Sequence, residues 1–491
     1  MSEAAEARDP ASAISPADAR ASIAVDLGAE SCRVSLLRWA DGAPHVELVH
    51  RFPNGPVRGD DGSLRWPLHT ILAGVDCGMR LCAERASEGI RSVAVDGWAV
   101  DYVRLDGEGH PLAPPFCYRD ARTSAAERQL HQRISPNRLR AITGIQRQPI
   151  NTVYQLYADR LAGLPPGHGW LNLPEFVLAR WGGAHVSEYT NATHTEMVDL
   201  EKRRWSREIL DAAGIDSALM PRLVPPGTPL GQLEGELARL PAFHNTQLIA
   251  PACHDTASAI ACIAEDNEDW GYISSGTWSL VGTLLSRPCN GPDARVAQFT
   301  NLGGVGDRLL FQKNVNGLWL LKQCMEAWMA AGAAWDISEL CAAAECQPTP
   351  NELLDVDDPE LLRMDNMPGR INAQLRRTGH RTLSDAGANA PAFASLIFHS
   401  LAARYASLIT SIEEIASKPL PRIYMVGGGS RNALLRRLTE RATGRLVFAG
   451  SPESSTLGNL AVQLAALDDN SERGEAFRER VARYAAQIAR S

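Results

Sequence analysis

The feature that most constrains this chain is a local pattern that occurs twice, once in each half of the sequence. A short apolar run, SIAV at 22–25, leads into the small polar segment DLGAESCR at 26–33. Later, the run GYI at 271–273 leads into SSGTWS at 274–279. Each run has the length of a buried strand and is followed by turn-forming residues. The repetition therefore predicts two related lobes with a cleft between them.

Strand-like runs alternate with longer helical patterns along the chain, which predicts an α/β fold. The predicted domains are a flexible N-terminal tail at 1–21, an N-terminal lobe at 22–248, a C-terminal lobe at 249–475 and a C-terminal helical tail at 476–491. With 491 residues, the chain is long enough for two domains that each bury a core. The Pro-rich stretch at 223–229 is interpreted as a connector.

The opening of the N-terminal lobe is predicted in more detail. Strands at 22–25, 32–39 and 47–52 are expected to form an antiparallel meander, because Gly and Asp residues supply the turns between them. A helix is predicted at about 67–87, followed by a buried strand at 92–95 that ends at an Asp-Gly pair.

Composition narrows the class of protein. The formal net charge is -8, from 57 acidic and 49 basic side chains, which gives no electrostatic reason to expect nucleic acid or an anionic membrane as a partner. No uninterrupted apolar run approaches the roughly 18 residues of a membrane span, and the start of the chain lacks the basic and apolar blocks of a secretory signal.

The ten cysteines lack zinc-ligand spacing and are typical of reduced thiols, although a Cys341–Cys346 disulfide stays open. We predict a cytoplasmic monomer or homodimer.

Three segments have the small residues that let a backbone approach phosphate. In 26–33, backbone N–H groups and Arg33 can face a phosphate chain, and Asp26 at the strand tip can hold Mg²⁺ through water. The segment 274–279 offers a hydroxyl, and 423–432 carries an apolar strand into three glycines before a helix. Each segment taken alone is equally compatible with an ordinary tight turn.

The segment HDTASA at 254–259 offers a candidate base. Asp255 can accept a proton from a substrate hydroxyl as that hydroxyl attacks phosphorus. The same residue can instead cap the N-terminus of the helix that follows. His254 can orient the same substrate or serve as a structural histidine.

Taken together, these segments resemble the FGGY family of carbohydrate kinases, over about 22 to 470. The blocks at 254–259, 274–280 and 316–321 are the most specific. The full set of similar blocks is AVDLGAESCRV at 24–34, DGWAVDYVRLD at 96–106, YRDART at 118–123, NTVYQL at 151–156, EYTNAT at 188–193, HDTASA at 254–259, SSGTWSL at 274–280, KNVNGLWLL at 313–321, VGGGSRN at 426–432 and STLGNLAVQ at 455–463.

The resemblance implies two actin-like (ribonuclease H-like) lobes with an interdomain cleft. It implies transfer of the ATP γ-phosphoryl group to the 1-hydroxyl of a ketose, L-rhamnulose first, with L-fuculose and L-xylulose as alternatives. Asp255 is implied as the base and Asp26 as the Mg²⁺ residue. The implied ATP-binding residues are Ala29, Glu30, Ser31, Cys32, Arg33, Thr277, Lys322, Gly428 and Asn432. The implied substrate-binding residues are Trp98, Ala99, His254, Asp255, Thr256 and Asn314.

Four residues depart from the pattern that the resemblance implies. Cys32 and Ala99 stand where glycine is usual, Lys322 stands where glutamine is usual, and Glu30 places a negative charge beside the expected phosphates. A side chain at position 32 can obstruct close backbone approach to a phosphate. These departures keep open a non-catalytic, sugar-sensing protein on the same fold, and an actin-like ATPase is a further alternative.

Overall fold

The computed structural model describes residues 18–265, 267–363, 366–468 and 474–490. The strands, in chain order, are β1 (Ala21–Leu27), β2 (Ser31–Ala40), β3 (Ala43–Pro53), β4 (Val57–Arg58), β5 (Leu64–Arg65), β6 (Ile90–Gly97), β7 (Tyr102–Leu105), β8 (Gly169–Asn172), β9 (Val186–Glu188), β10 (Val198–Asp199), β11 (Arg204–Trp205), β12 (Arg222–Val224), β13 (Thr228–Gln232), β14 (Gln247–Ala250), β15 (Trp270–Ser275), β16 (Trp278–Leu285), β17 (Thr300–Gly303), β18 (Leu309–Asn316), β19 (Arg422–Val426) and β20 (Leu446–Ala449).

The helices, in chain order, are α1 (Leu68–Arg85), α2 (Thr123–Leu130), α3 (Pro136–Thr143), α4 (Thr152–Leu161), α5 (Leu173–Ala179), α6 (Tyr189–Thr193), α7 (Arg207–Ala213), α8 (Asp255–Ala261), α9 (Pro292–Val296), α10 (Trp319–Ala330), α11 (Ile337–Glu345), α12 (Met367–Arg377), α13 (Ala390–Ala416), α14 (Ala433–Thr443), α15 (Ser454–Asp468) and α16 (Gly474–Ile488). The predicted meander and the first long helix are thus present, with ends that differ by a few residues from the sequence-based bounds.

The described chain forms two compact units, each with its own six-stranded sheet. The first unit contains the chain up to Glu265, with Leu302–Leu309 and the segment from Ser455 onward. The second contains Asp266–Asn301 and Leu310–Ser454. Positions 1–17, most of the predicted N-terminal tail, lie outside the described residues.

The first unit is built on a sheet with the strand order β13-β14-β6-β1-β2-β3. Strands β14, β6 and β1 are parallel, whereas β2 and β3 continue the sheet in antiparallel hairpins. Every residue of β1 (ASIAVDL) is buried, as expected for a central strand that is covered on both faces. The carboxyl ends of the three parallel strands therefore lie side by side at one edge of this sheet.

Helices cover this sheet, and two of them come from the end of the chain. Helix α1 packs against β2 and β3, with Val75 and Met79 in the core. In α15, Gln463 donates to the Ile23 carbonyl at 3.0 Å and accepts from the Ser92 hydroxyl at 2.7 Å. These buried polar bonds attach α15 to β1 and β6, which explains why the last part of the chain belongs to the first unit.

The second unit repeats the same plan on a sheet with the order β17-β18-β16-β15-β19-β20. Strand β15 pairs antiparallel with β16 and parallel with β19, as β1 does with β2 and β6. The prediction of two related α/β lobes is confirmed. The cleft between them stays a prediction.

The longest helix lies in the core of the second unit. The described part of the chain contains one helical stretch, Gly387–Ala416, that is long and apolar enough to cross a membrane, and 67% of its most apolar window is buried in the unit. The aromatic side chains of Phe393, Phe398 and Tyr405 belong to the hydrophobic core. These contacts account for its apolar composition without a bilayer.

The unit boundary differs from the one placed between residues 248 and 249 on sequence. The chain leaves the first unit after Glu265, because β14 is a parallel neighbour of β6 and α8 follows it directly. The Pro-rich stretch at 223–229, interpreted as a connector, joins β12 to β13 within the first unit. Pro229 lies in β13 at the edge of the sheet, where a strand tolerates proline.

Candidate active site

Three carboxylates stand at the carboxyl ends of the three parallel strands of the first unit. Asp26 and Asp96 are paired in register on β1 and β6, and Gly97 forms a bridge to His254 just before Asp255. We call Asp26, Asp96 and Asp255 the acidic edge. Ligands of α/β sheets bind at the carboxyl ends of parallel strands, so this edge is the candidate site of the first unit.

Asp255 is the first residue of α8 and not its N-cap, although one of its carboxylate oxygens binds a free N–H of the first turn. The N-cap position is His254, whose side chain makes no capping bond. Oδ1 of Asp255 accepts from the main-chain N–H of Thr256 at 2.5 Å and from its hydroxyl at 3.2 Å. Within the described residues no hydrogen bond falls on Oδ2, and 35% of the side chain stays exposed. One carboxylate oxygen is held while the other stays available.

The surroundings of Asp255 favour its protonated form. Burial of the carboxyl group, followed by the negative charge of Asp26, raises the pKa of Asp255 to about 7, although the bonds from Thr256 act in the opposite direction. A carboxylate with a pKa near neutrality is suited to act as a general base.

Asp26 is held by two partners that both contact Oδ2. The Arg33 guanidinium donates at 2.8 Å across the β1–β2 hairpin, and the Ser455 hydroxyl donates at 2.7 Å from α15. The turn between the strands is tight, because a Cβ on Gly28 would lie 2.4 Å from the Ser31 carbonyl oxygen. Asn54 braces this turn by donating to the Gly28 carbonyl at 2.9 Å.

Asp96 is fully buried and only half satisfied. Its Oδ2 accepts from the Asn459 amide at 2.7 Å, whereas Oδ1 has no hydrogen-bond partner among the described residues. Burial and the charge of Asp26 hold the pKa of Asp96 well above its ordinary value. A nearby cation is the usual way to compensate such a cluster of carboxylates.

The acidic edge fits a water-coordinated Mg²⁺ better than a protein-made cage. In the described ranges no group of three or more His, Cys, Asp or Glu side chains is arranged to hold a metal ion. Mg²⁺ commonly keeps several waters and uses one or two carboxylates together with phosphate oxygens. The arrangement of Asp26 and Asp96 on neighbouring strand ends is compatible with that kind of binding.

A buried carboxylate holds the loop that carries Asp255. Glu188, at the end of β9, accepts from the Cys253 main-chain N–H at 2.8 Å and from the Thr190 hydroxyl at 2.5 Å. The same Thr190 oxygen accepts from the His254 N–H at 3.2 Å. Burial raises the pKa of Glu188 to about 8 and that of Glu175, which supports Asn191 at 2.9 Å, to about 7.

The predicted sugar-side segment lies immediately after β6 and is strained. Val100 has a φ of 71°, a left-handed conformation that is unfavourable for a β-branched residue. The buried carboxylate of Asp101 accepts from the indole N–H groups of Trp66 at 2.6 Å and Trp98 at 3.0 Å, and from the Gln155 amide at 2.9 Å. These bonds fix the backbone around Ala99 in its strained form.

In the second unit, the predicted phosphate turn packs against the start of a helix. Thr277 lies between β15 and β16, and its carbonyl accepts from the Trp319 N–H at 3.2 Å. The Leu318 N–H donates to the Gly276 carbonyl at 2.9 Å. Lys322 follows in the first turns of α10, and Asn314 lies in β18. The structure thus brings Thr277 close to the helix that carries Lys322.

The triple glycine of the second unit follows β19. A Cβ on Gly429 would lie 2.1 Å from the Ser275 hydroxyl, so this position requires glycine, whereas a Cβ on Gly428 would meet no described atom within 4 Å. That open face can accept the flat base of a nucleotide. Asn432 is the N-cap of α14, accepting from the Leu435 N–H at 2.9 Å, and its amide contacts the Cys341 sulfur at 3.6 Å.

Both halves of the chain are similar to one family of known proteins. Residues 21–262 match the N-terminal domain, and residues 271–467 the C-terminal domain, of the FGGY family of carbohydrate kinases. The chain belongs to that family. Rhamnulokinases of Enterococcus faecalis and Oceanobacillus iheyensis are 35% and 34% identical to this FGGY kinase, and the alignments cover 91% of it and 89% and 93% of those proteins.

Solved structures share the fold of this FGGY kinase. The ligand-bound xylulose kinase of Lactobacillus acidophilus has a TM-score of 0.77 at 15% identity, with 96% of this chain and 92% of that chain covered. The glycerol kinase of Plasmodium falciparum with ADP has a TM-score of 0.71 at 12% identity, with coverages of 94% and 92%. At such low identity these likenesses concern the fold alone. They agree with the predicted actin-like, two-lobed α/β architecture of the FGGY kinases.

Some residues of this candidate site were missed by sequence reasoning. The structure adds Asp96, Ser455 and Asn459 at the acidic edge, and Glu188 and His194 behind Asp255. A signal existed for Asp96, because it ends the second parallel strand as Asp26 ends the first. Ser455 begins the similar block at 455–463, but nothing local connected it with Asp26, from which it lies 429 positions away in sequence.

One departure from the family pattern is explained by the fold. Cys32 lies in β2 with its side chain fully buried in the core, where the thiol contacts the Gly28 carbonyl oxygen at 3.8 Å. Burial raises the pKa of this thiol to about 12. The side chain thus lies on the core side of the turn at 28–31, against its Gly28 carbonyl, and not on its exposed side, so it does not fill the space that a phosphate needs.

Proposed function

We propose that this FGGY kinase transfers the γ-phosphoryl group of ATP to the 1-hydroxyl of L-rhamnulose, forming L-rhamnulose 1-phosphate and ADP. Four curated relatives named rhamnulokinase support this substrate, since they are 32–35% identical over about nine tenths of the chain. The single observation that carries the chemistry is the carboxylate of Asp255, with Oδ1 held by Thr256 and Oδ2 available at the acidic edge.

Asp255 is the proposed catalytic base. In its ionised form, Oδ2 accepts the proton of the sugar 1-hydroxyl while that oxygen attacks phosphorus, and ADP leaves with the electrons of the broken P–O bond. The bonds from Thr256 keep the carboxylate in one orientation. The pKa of about 7 makes the group basic enough to take the proton and acidic enough to be ionised near neutrality.

Asp26 is the proposed residue for Mg²⁺, through water. When bound, Mg²⁺ neutralises phosphate charge during transfer. In the free enzyme, Arg33 and Ser455 hold Asp26 in place, and the unpartnered oxygen of Asp96 faces the same edge of the sheet. Arg33 can therefore exchange its carboxylate partner for a phosphate oxygen when nucleotide arrives.

The proposed ATP contacts come from both units. In the first unit, the proposed phosphate contacts are the backbone N–H groups of Ala29 and Ser31 and the side chain of Arg33, and the side chain of Cys32 is buried in the core. In the second unit, the proposed contacts are Thr277 and Lys322 for phosphate and Gly428 and Asn432 for adenosine. The open face of Gly428 supports the adenosine assignment.

The proposed sugar contacts follow the same division. In the first unit they are Trp98, Ala99, His254 and Thr256, which lie in the segments that follow β6 and β14. The network around Asp101 supports this assignment, because four hydrogen bonds to its carboxylate hold the strained segment that contains Ala99 and Val100. In the second unit the proposed sugar contact is Asn314.

The proposed setting is the cytoplasm, where the enzyme works on a small ketose and ATP as a monomer or homodimer. The net charge of -8 supports the proposal that neither nucleic acid nor an anionic membrane is a partner. Elution volume with light scattering determines the oligomeric state, with one or two chains as the expected result.

The substrate is tested with a panel of ketoses in a coupled assay for ADP release. The expected result is the highest kcat/KM with L-rhamnulose, with L-fuculose and L-xylulose at least about tenfold lower, since one mismatched hydroxyl costs more than 1.4 kcal/mol. A higher kcat/KM with L-fuculose or L-xylulose would move the proposal to that ketose. Equal ATP hydrolysis with every sugar, or sugar binding without ADP release, would overturn it.

The sugar-sensing alternative rested on Cys32 and Ala99. Because the side chain of Cys32 is buried in the core, this departure no longer favours a loss of catalysis. Ala99 adds one methyl group to a segment whose backbone is already strained at Val100. Isothermal titration with L-rhamnulose, beside the ADP-release assay, separates a sensor from an enzyme.

A further inference from the structure

Four charged side chains stand in one row across neighbouring strands of the first unit. Asp96 on β6, Asp26 on β1, Arg33 on β2 and Arg51 on β3 are paired in register. Residues that are paired in this way project from the same face of a sheet. We call these four residues the charged row. It consists of two carboxylates followed by two arginines.

The two arginines of the charged row form a like-charge pair. Residues directly opposite each other on antiparallel strands have Cβ atoms about 5 Å apart, and equal charges at such positions are unfavourable. The charge of Arg33 is offset by the ion pair with Asp26 at 2.8 Å. Arg51 is exposed, and it forms no ion pair in the part of the chain that the structure describes. An anionic ligand would offset the charge that remains.

The guanidinium of Arg51 contacts the turn at 28–31 through Ser31. Nη2 donates to the Ser31 hydroxyl oxygen at 3.2 Å, and Nε lies slightly further away at 3.4 Å. Arginine has no acceptor, so the hydroxyl oxygen accepts and its own proton is left for another partner. Among the described residues that proton has no acceptor. A phosphate oxygen that takes it would lie beside the guanidinium.

The segment after Arg51 holds the same turn from the same side. The main-chain N–H of Asn54 donates to the Glu30 carbonyl at 2.9 Å, and its side-chain amide donates to the Gly28 carbonyl at 2.9 Å. With the contact from Arg51 to Ser31, residues 51–54 bind three of the four positions at 28–31. The position of Arg51 relative to the turn is therefore fixed by neighbouring bonds.

We propose that Arg51 is a phosphate-binding residue for the nucleotide: its guanidinium and the Ser31 hydroxyl together bind an oxygen of the ATP phosphate chain, beside Arg33. The proposal rests on the proposed kinase function and extends the nucleotide contacts to β3. Arginine is well suited to phosphate, because its planar donors match the phosphate oxygens. A polyphosphate that carries Mg²⁺ also matches the charged row, with the cation toward the carboxylates and the anionic oxygens toward the arginines.

The test measures nucleotide binding in the absence of sugar, by isothermal titration with ATP and by competition with adenosine. Arg51→Gln is expected to raise the Kd of ATP at least about tenfold, because a hydrogen bond between charged groups is lost. The Kd of adenosine, which has no phosphate, should stay within about twofold. Arg51→Lys keeps the charge and should recover part of the loss.

Arg38→Gln is the matched control. Arg38 lies on β2 seven positions after Ser31, about 23 Å along the strand, and it donates to the Arg85 carbonyl at 3.1 Å. Its loss should leave both dissociation constants unchanged. Thermal unfolding shows whether each variant folds, and Arg51→Lys keeps the test decisive if Arg51→Gln does not.

A double variant tests whether Arg51 and Ser31 bind the same phosphate oxygen. The loss of ATP affinity in Ser31→Ala/Arg51→Gln should be smaller than the product of the two single losses. Losses that multiply would overturn the shared contact. An ATP Kd within about twofold of wild type in Arg51→Gln, or an equal loss of adenosine affinity, would overturn the role of Arg51 and leave the proposed function intact. A wild-type enzyme that binds no ATP would refute both.

Discussion

The main-chain N–H of Cys253 donates to the buried carboxylate of Glu188 at 2.8 Å, across 65 positions of sequence. This bond joins the loop that carries Asp255 to the end of β9. Glu188 also accepts from the Thr190 hydroxyl, whose oxygen in turn accepts from the N–H of His254. One buried carboxylate therefore determines the backbone position of Cys253 and His254, the two residues that precede Asp255. A proton acceptor placed in this way needs little reorganisation when substrate arrives.

Replacement of Glu188 by alanine should therefore affect stability and catalysis together. The change leaves buried donors of Cys253 and Thr190 without an acceptor, at about 1–3 kcal/mol for each. We expect Glu188→Ala to lower the free energy of unfolding by about 3 kcal/mol in urea denaturation, and kcat by more than tenfold in the fraction that stays folded. The exposed Glu201→Ala is the control. Unchanged stability and rate would contradict the anchoring role.

The pH dependence of the reaction should reflect the raised pKa of Asp255. Below pH 7 its Oδ2 carries a proton and cannot accept one, so log kcat/KM should rise with a slope of one up to about pH 7 and then level off. The measurement is kcat/KM for L-rhamnulose between pH 5 and pH 9, with the coupling enzymes kept in excess. A profile that stays flat down to pH 5 would show that the base has an ordinary carboxylate pKa.

The first phosphate turn should tolerate a smaller residue at position 32. Because the Cys32 thiol is buried in the core and not in the turn, Cys32→Ala should cost about 1–2 kcal/mol of stability by leaving a small cavity. The ATP KM should stay within about twofold of the wild-type value. Denaturant unfolding and ATP titration check the two parts. A large change in the ATP KM without loss of stability would place the side chain at the nucleotide.

The strained segment after β6 should depend on Asp101. Asp101→Ala removes the acceptor for Trp66, Trp98 and Gln155 and frees Val100 to leave its left-handed conformation. We expect the sugar KM to rise at least about tenfold while the ATP KM changes little. Steady-state kinetics with each substrate varied in turn test this selectivity. Equal effects on both substrates would point to general destabilisation.

Much of this fold follows from local signals in the sequence. The runs at 22–25 and 271–273 could be identified as strands because apolar residues end at small polar ones, and both became central strands of their sheets. Asp26 could be selected because it directly follows such a run, and Asp255 because the run at 248–250 leads to it through a short polar loop at the start of a helix. The side chain of Cys32 could not be assigned to core or turn, since that depends on where the first residue of β2 falls in its alternation.

Other parts of the site depend on contacts that no local pattern records. The pairing of Asp96 with Asp26 depends on strand order and register, and the bond from Ser455 to Asp26 depends on the return of α15 to the first unit. For Asn432 the structure shows the capping of α14, which its position before a helix favours. Its predicted contact with adenosine stays a prediction.

The central claim is that the Asp255 carboxylate takes the proton of the sugar hydroxyl, and the Asp255→Asn variant tests it most directly. The amide keeps the size of the side chain but cannot accept a proton in this way. Single-turnover phosphorylation of L-rhamnulose should slow at least about a hundredfold in the variant, with ATP and sugar binding by calorimetry near the wild-type values. A phosphorylation rate within about threefold of wild type would contradict the assignment of Asp255 as the base.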